Sequence, residues 1–147
     1  GPARVAGPPQ DPPVLEYLRT EQPWGLDLEP EVWLASQTMR ERGDDPARIS
    51  ATNFSTMYWT AAQQLAHMTV NGASVRPGDL FASGTVSGAE PGTYGSMIEL
   101  TWNGEHPITV PDGTERTFLE DGDEVTLRAR SGPITLGSVS GVVVAER

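Results

Sequence analysis

Short turn motifs cut this chain into lengths of a few residues, and nothing else in it constrains the fold as strongly. Arg76-Pro77-Gly78-Asp79, Asn103-Gly104, Asp112-Gly113 and Asp121-Gly122-Asp123 each set glycine beside Asp, Asn or Pro, the chemistry of tight turns. The intervals between them suit strands better than helices, and strands are expected at 80–83, 96–102, 117–119, 124–129 and 138–144. The 16 Gly and 13 Pro among 147 residues agree with that pattern. Upstream, Leu26, Leu28, Val32 and Leu34 alternate with polar or acidic residues, which predicts one or two half-buried strand segments interrupted at Pro30. Residues 1–23 are proline-rich and expected to be extended, because proline and the residue before it avoid the helix. Residues 37–50, QTMRERGDDPARIS, are charged and turn-rich, and are expected to form a mobile surface loop. One helix is expected, over 55–70. There Tyr58, Ala61, Ala62, Leu65 and Ala66 form an apolar stripe to pack on a sheet, and Asn71-Gly72 supplies the stop.

Charge narrows the class of partner. Twenty Asp and Glu face ten Arg and no Lys, a net charge of −10, so the electrostatic attraction that drives nucleic-acid or anionic-membrane binding has the wrong sign. No apolar stretch approaches the ~20 residues of a membrane span. Without Cys there is no disulfide framework and no thiolate chemistry, which fits a cytoplasmic protein. The chain opens GPARVAGPPQDPPVLEYL, without an initiator Met and in a proline-rich run. It reads as the middle of something longer, an excised or processed piece, with Gly1-Pro2 equally the scar of a removed tag.

Few residues present themselves as chemistry. In GSMIELTW, residues 95–102, alternation places Ile98, Leu100 and Trp102 on one strand face and Met97, Glu99 and Thr101 on the other. Glu99 is then either an ordinary solvated carboxylate or, if that face lines a cavity, a site residue. His67, near the helix end, and His106, in a turn, have no metal-binding spacing and are read as structural and surface residues. The carboxylates of LEDGDEV lack the twelve-residue calcium loop and are read as a turn before a strand. Residues 81–96, FASGTVSGAEPGTYGS, form a long loop of small residues that matches no standard phosphate or nucleophile motif. Such a loop either binds a ligand, with Thr85 as its contributing side chain, or is plain surface.

The run from Asn53 to Gly104 resembles the C-terminal region of the fumarylacetoacetase family. RPGDLFASGT and LEDGDEV resemble the wider fumarylacetoacetate hydrolase superfamily, and SGAEPGTYGSMIEL resembles the fumarylacetoacetase branch itself. The resemblance extends over nearly the whole chain and is weakest at 36–50 and after Arg128. It implies a β-rich α+β fold, a mixed β-roll or sandwich with one principal helix, in which 1–147 is the C-terminal part of the catalytic domain. It implies hydrolysis of a carbon–carbon bond in a β-diketone, yielding fumarate and acetoacetate in tyrosine and phenylalanine breakdown, by a homodimer using Mg²⁺ or Ca²⁺. It further implies that Glu99 is the family's catalytic glutamate, orienting the histidine that takes a proton from water, and that Thr85 contacts the substrate.

The family's catalytic histidine, metal-binding carboxylates, and active-site lysine and arginine have no counterpart here, so the resemblance implies that they lie in an N-terminal remainder of the same enzyme. His67 matches a different, helix-borne position. The isolated chain is therefore expected to be inactive and to hold no metal. The alternatives are another superfamily member acting on an oxo-acid as hydrolase, decarboxylase or isomerase, and a noncatalytic binding module.

Overall fold

The computed structural model describes residues 3–21 and 23–145. Strand β1 (Arg4–Ala6) pairs antiparallel with β2 (Trp24–Leu26), and a 3₁₀ turn, Glu16–Leu18, lies between them in sequence. The proline-rich segment is thus extended only in part: its start joins a two-stranded ladder, and Glu16–Leu18 turns as a 3₁₀ helix. Residues 1, 2 and 22 of that segment lie outside the described residues.

The main sheet is antiparallel throughout, in the order β4 (Ala47–Ala51), β3 (Glu29–Ala35), β7 (Glu124–Ser131), β8 (Ile134–Val142). Pro30 does not interrupt β3. It lies opposite Ala129 of β7, and its carbonyl accepts from the Thr52 N–H at 3.1 Å. The β7–β8 hairpin closes through Gly132-Pro133, with Gly132 in the left-handed region at φ 54°. Upstream of β7 come a single helical turn, α3 (Met97–Leu100), and a small hairpin of β5 (Ile108–Thr109) and β6 (Glu115–Arg116).

The expected loop at 37–50 is instead folded, as helix α1 (Gln37–Arg42) followed by β4. Both helix ends are satisfied locally. The Ser36 hydroxyl accepts from the Met39 N–H at 3.1 Å, and Gly43, at φ 75°, takes the left-handed stop while Asp44 N–H donates to the Met39 carbonyl. Met39, the lone large apolar residue of α1, is buried with Leu34, Ala35 and Val110, and this cluster, with Ile49 packed against it, is the core of the main sheet. Charge on the other faces of α1 hid that single anchor.

Ser36 also donates to Asp112 at 2.6 Å, tying α1 to the β5–β6 turn. That bond, with those from Thr114, holds the Asp112 carboxyl down to about 2. A depressed carboxyl stabilises the fold above its unfolded value of ~3.9 and loses that contribution as pH falls through its folded value. Asp112→Asn should therefore unfold more readily than the parent at neutral pH, and the difference should shrink as pH drops from ~4 toward ~2. Denaturation midpoints across that range are the check, and a constant gap would refute the assignment.

Helix α2 (Ala61–Thr69) begins later than expected. Thr60 and Gln63 form a capping box, and a 3₁₀ turn, Phe54–Thr56, occupies the start of the predicted helix. Its packing partner differs too. Instead of a sheet, α2 meets the Glu16–Leu18 turn through buried Gln63, whose amide donates to the Leu18 carbonyl at 3.1 Å and to Gln10 at 2.8 Å. Ala61, Ala62 and Leu65 of the predicted apolar stripe are exposed.

Residues 80–83 are likewise not a strand; Leu80 is 97% exposed, and no described strand lies alongside to pair with it. Residues 117–119 are not a strand either; 117–118 form a bend, with the Thr117 carbonyl taken by a side chain. Expectations at 124–129 and 138–144 meet β7 and β8, the latter running earlier than expected. The architecture is β-rich α+β. Among the described residues no helix is long and apolar enough to cross a membrane.

Candidate functional site

Glu99 does not lie on a strand. It is the third residue of α3, whose turn is closed by Leu100 N–H to the Ser96 carbonyl at 3.0 Å and Thr101 N–H to the Met97 carbonyl at 2.9 Å. The six alternating residues Met97–Trp102 fit both periods, and here long-range bonds decide. The fully buried Thr101 hydroxyl donates between the Met97 and Thr117 carbonyls and accepts from Gly104 N–H. Trp102, Asn103 and Gly104 then follow in left-handed conformation, at φ 51°, 58° and 87°, which ends the turn. The sequence did carry the signal: Ser96-Met97-Ile98-Glu99 is the S-x-x-E pattern of a helix start.

The Glu99 carboxylate is exposed, yet one of its oxygens is tightly held. Oε2 accepts from the Ser96 hydroxyl at 2.6 Å and the Ser87 hydroxyl at 2.9 Å. The Ser96 hydroxyl is the largest influence on the carboxyl; with Ser87 and the Ser96 backbone it outweighs the opposing effect of burial and holds the group below the ordinary range. Oε1 has no hydrogen-bond donor among the described residues. The group is thus an anion at neutral pH with one face open to an incoming N–H.

Ser87 ties this carboxylate to the long loop at 81–96. Its oxygen accepts from Gly95 N–H at 3.0 Å, and Gly88 N–H meets the Thr93 carbonyl at 2.9 Å, so the loop folds back on itself. A Cβ on Gly95 would collide with the Val86 carbonyl oxygen and lie 2.7 Å from the Thr85 methyl, so only glycine permits this approach. Thr85 and Glu99 are therefore parts of one folded unit, although fourteen positions apart in sequence. Thr85 itself is exposed and directly follows Phe81–Gly84, which face Ala61, Leu65 and Met68 of α2 across an open hollow of about 850 Å³. A second hollow, of about 190 Å³, runs from Gly95–Met97 to the main sheet.

The histidines stand apart from this unit. The Tyr17 hydroxyl lies 2.9 Å from His67 Nδ1, and the two rings stack at 6.1 Å, joining α2 to the proline-rich segment. His67 lines an apolar hollow of about 570 Å³ with Pro12, Leu15, Tyr58 and Trp59, a hollow to which neither Thr85 nor Glu99 contributes. His106 is exposed in its turn. In LEDGDEV the turn is as expected, with Gly122 at φ 89°, and Asp123 is buried against Arg116 instead of facing a metal. Among the described residues no three His, Cys, Asp or Glu side chains stand together to hold a metal ion. By themselves the described residues therefore assemble no metal site. Ser87 escapes a reading of the sequence because serine in a loop carries no distinctive pattern until its partner is known, and Ser96 escapes it because the strand expectation at 96–102 masks its S-x-x-E signal.

Comparison with known proteins agrees with the motifs. The family described as fumarylacetoacetate (FAA) hydrolase C-terminal matches residues 15–144. Fumarylacetoacetase of Arabidopsis thaliana is 50% identical over 119 residues, covering 81% of this chain and 27% of that protein. Fumarylacetoacetase of Homo sapiens is 48% identical over 126 residues, covering 86% and 29%. That of Dictyostelium discoideum is 38% identical over 143 residues, covering 93% and 33%. The chain thus spans about a third or less of the length of these relatives.

Proposed function

This chain belongs to the fumarylacetoacetate hydrolase family, and on that premise we propose that its full-length protein hydrolyses fumarylacetoacetate to fumarate and acetoacetate. Supporting this is the state of Glu99: ionised, held at one oxygen by two hydroxyls, and open at the other. In the proposed reaction Oε1 accepts the N–H of a histidine supplied from outside this chain. The carboxylate fixes that ring's orientation and stabilises the imidazolium formed when its other nitrogen takes a proton from the attacking water. Thr85 donates its hydroxyl to a carboxylate or carbonyl oxygen of the diketo-acid.

On the same reading, residues 1–147 are the C-terminal part of a catalytic domain of the family's roll type. The protein acts as a cytoplasmic homodimer in tyrosine and phenylalanine breakdown. Its magnesium or calcium is held by ligands outside this chain, and the roles of Glu99 and Thr85 do not run through it. Steady-state hydrolysis of fumarylacetoacetate by the full-length protein is the test. Turnover of a different oxo-acid with none of this substrate would replace the proposal with another superfamily activity.

Thr85→Val keeps shape and removes the hydroxyl. Loss of a hydrogen bond to a charged group costs roughly 1.5–3 kcal/mol, so KM for fumarylacetoacetate should rise by about one to two orders of magnitude with little change in melting temperature. Parallel loss of activity and thermal stability would instead make Thr85 structural.

A further inference from the structure

We propose that Ser96 and Ser87 are positioning residues for Glu99, and that Ser87 fixes the carboxylate and the Thr85 turn in one frame. This rests on the role assigned to Glu99 above.

A glutamate on an exposed helical turn ordinarily samples many rotamers, and ordering it during reaction would cost side-chain entropy. Here the ordering precedes the reaction. Each serine has a single proton to donate, and an ionised carboxylate can only accept, so both hydroxyls must point at Oε2. The 2.6 Å bond from Ser96 has the length of a charge-assisted contact. With Oε2 occupied twice, the free direction of the carboxylate is fixed along Oε1. No cation takes part: the causes that lower this carboxyl are the Ser96 hydroxyl first, then the Ser87 hydroxyl and the Ser96 backbone, against the opposing effect of burial.

Ser87 has a second task. Because its proton goes to Glu99, its oxygen is left to accept, and it takes Gly95 N–H at 3.0 Å. Gly95 is the residue whose missing side chain admits Thr85 and the Val86 carbonyl. A contact chain therefore runs from Thr85 through Gly95 and Ser87 to Glu99. A substrate oxygen bound at Thr85 and a base oriented by Glu99 would share one reference, which is what a reaction sensitive to small misplacement needs. Ser96 touches only the carboxylate with its hydroxyl, whereas Ser87 touches both ends. Their losses should therefore differ in kind.

The experiment uses the full-length protein with fumarylacetoacetate as substrate. Ser96→Ala should lower kcat by about tenfold, leave KM within about twofold, and move the acid limb of the kcat profile to higher pH, because Glu99 then protonates more easily. Ser96→Thr keeps a hydroxyl at a helix start that accepts threonine, and should restore both rate and profile. Ser87→Ala should lower kcat and raise KM together, because the Thr85 turn loosens with it. Parental kinetics in both alanine variants beside an inactive Glu99→Gln enzyme would overturn the proposal while leaving the role of Glu99 intact. So would a fall in kcat that tracks melting temperature and is not rescued by threonine. An active Glu99→Gln enzyme would instead overturn the role of Glu99 itself.

Discussion

Glu99→Gln in the full-length protein should lower kcat for fumarylacetoacetate by ~10²–10⁴-fold, the range of positioned acid–base catalysis, with fold and KM preserved. The amide is nearly the same size, and its oxygen can still accept from Ser87 and Ser96, which would leave the NH₂ group where Oε1 now stands. A donor would then face the histidine N–H in place of an acceptor, and the negative charge that favours imidazolium would be gone. Substrate binding should survive, since Glu99 acts on the histidine and not on the diketone. A merely solvated glutamate would give a stability change within about ±0.5 kcal/mol and near-normal turnover. A variant keeping more than half the parental rate would remove Glu99 from the reaction.

The largest loss of stability should follow Asp123→Ala. Asp123 is completely buried and grips Arg116 with two bonds, Nε to Oδ2 at 2.9 Å and Nη2 to Oδ1 at 3.0 Å. Its Oδ2 also accepts the Glu120 N–H at 3.0 Å, and its backbone carbonyl accepts from Val143 at 2.8 Å. One residue thereby joins the β5–β6 hairpin, the LEDGDEV turn and the segment that follows β8. Removing one partner of a buried pair leaves the other charge uncompensated, at roughly 3–5 kcal/mol. The value should fall at the lower end, because the mostly exposed Glu120 lies 3.3 Å from Arg116 and offers a partial substitute. Replacing both residues with leucine should cost much less than Asp123→Ala alone, because no charge is then stranded. Chemical denaturation of the three proteins checks this. An Asp123→Ala loss below about 1 kcal/mol would mean that the pair behaves as a solvated surface bridge.

The sequence by itself determined the places where the backbone must turn. Gly72, Gly78, Gly104, Gly113 and Gly122 all take positive φ, each at a turn motif legible in the chain. It also determined β7 and the later part of β8, and the family, because motif order survives without knowledge of contacts. Left-handed backbone is a property of one residue and its neighbours, so local chemistry suffices for it.

Only the tertiary structure decided what short segments became. Residues 96–102 could satisfy either period, and the Thr101 bond to Thr117 and the Ser87 bond to Glu99 made them a helical turn. One buried methionine turned a charged loop into α1, and a buried glutamine set the contact of α2 in place of its apolar stripe. The link from the Thr85 turn through Gly95 and Ser87 to Glu99 depends on a glycine whose value lies in the side chain it lacks. In each case the deciding contact joins residues well separated in the chain, and its energy exceeds the small difference between local conformations that the sequence pattern measures.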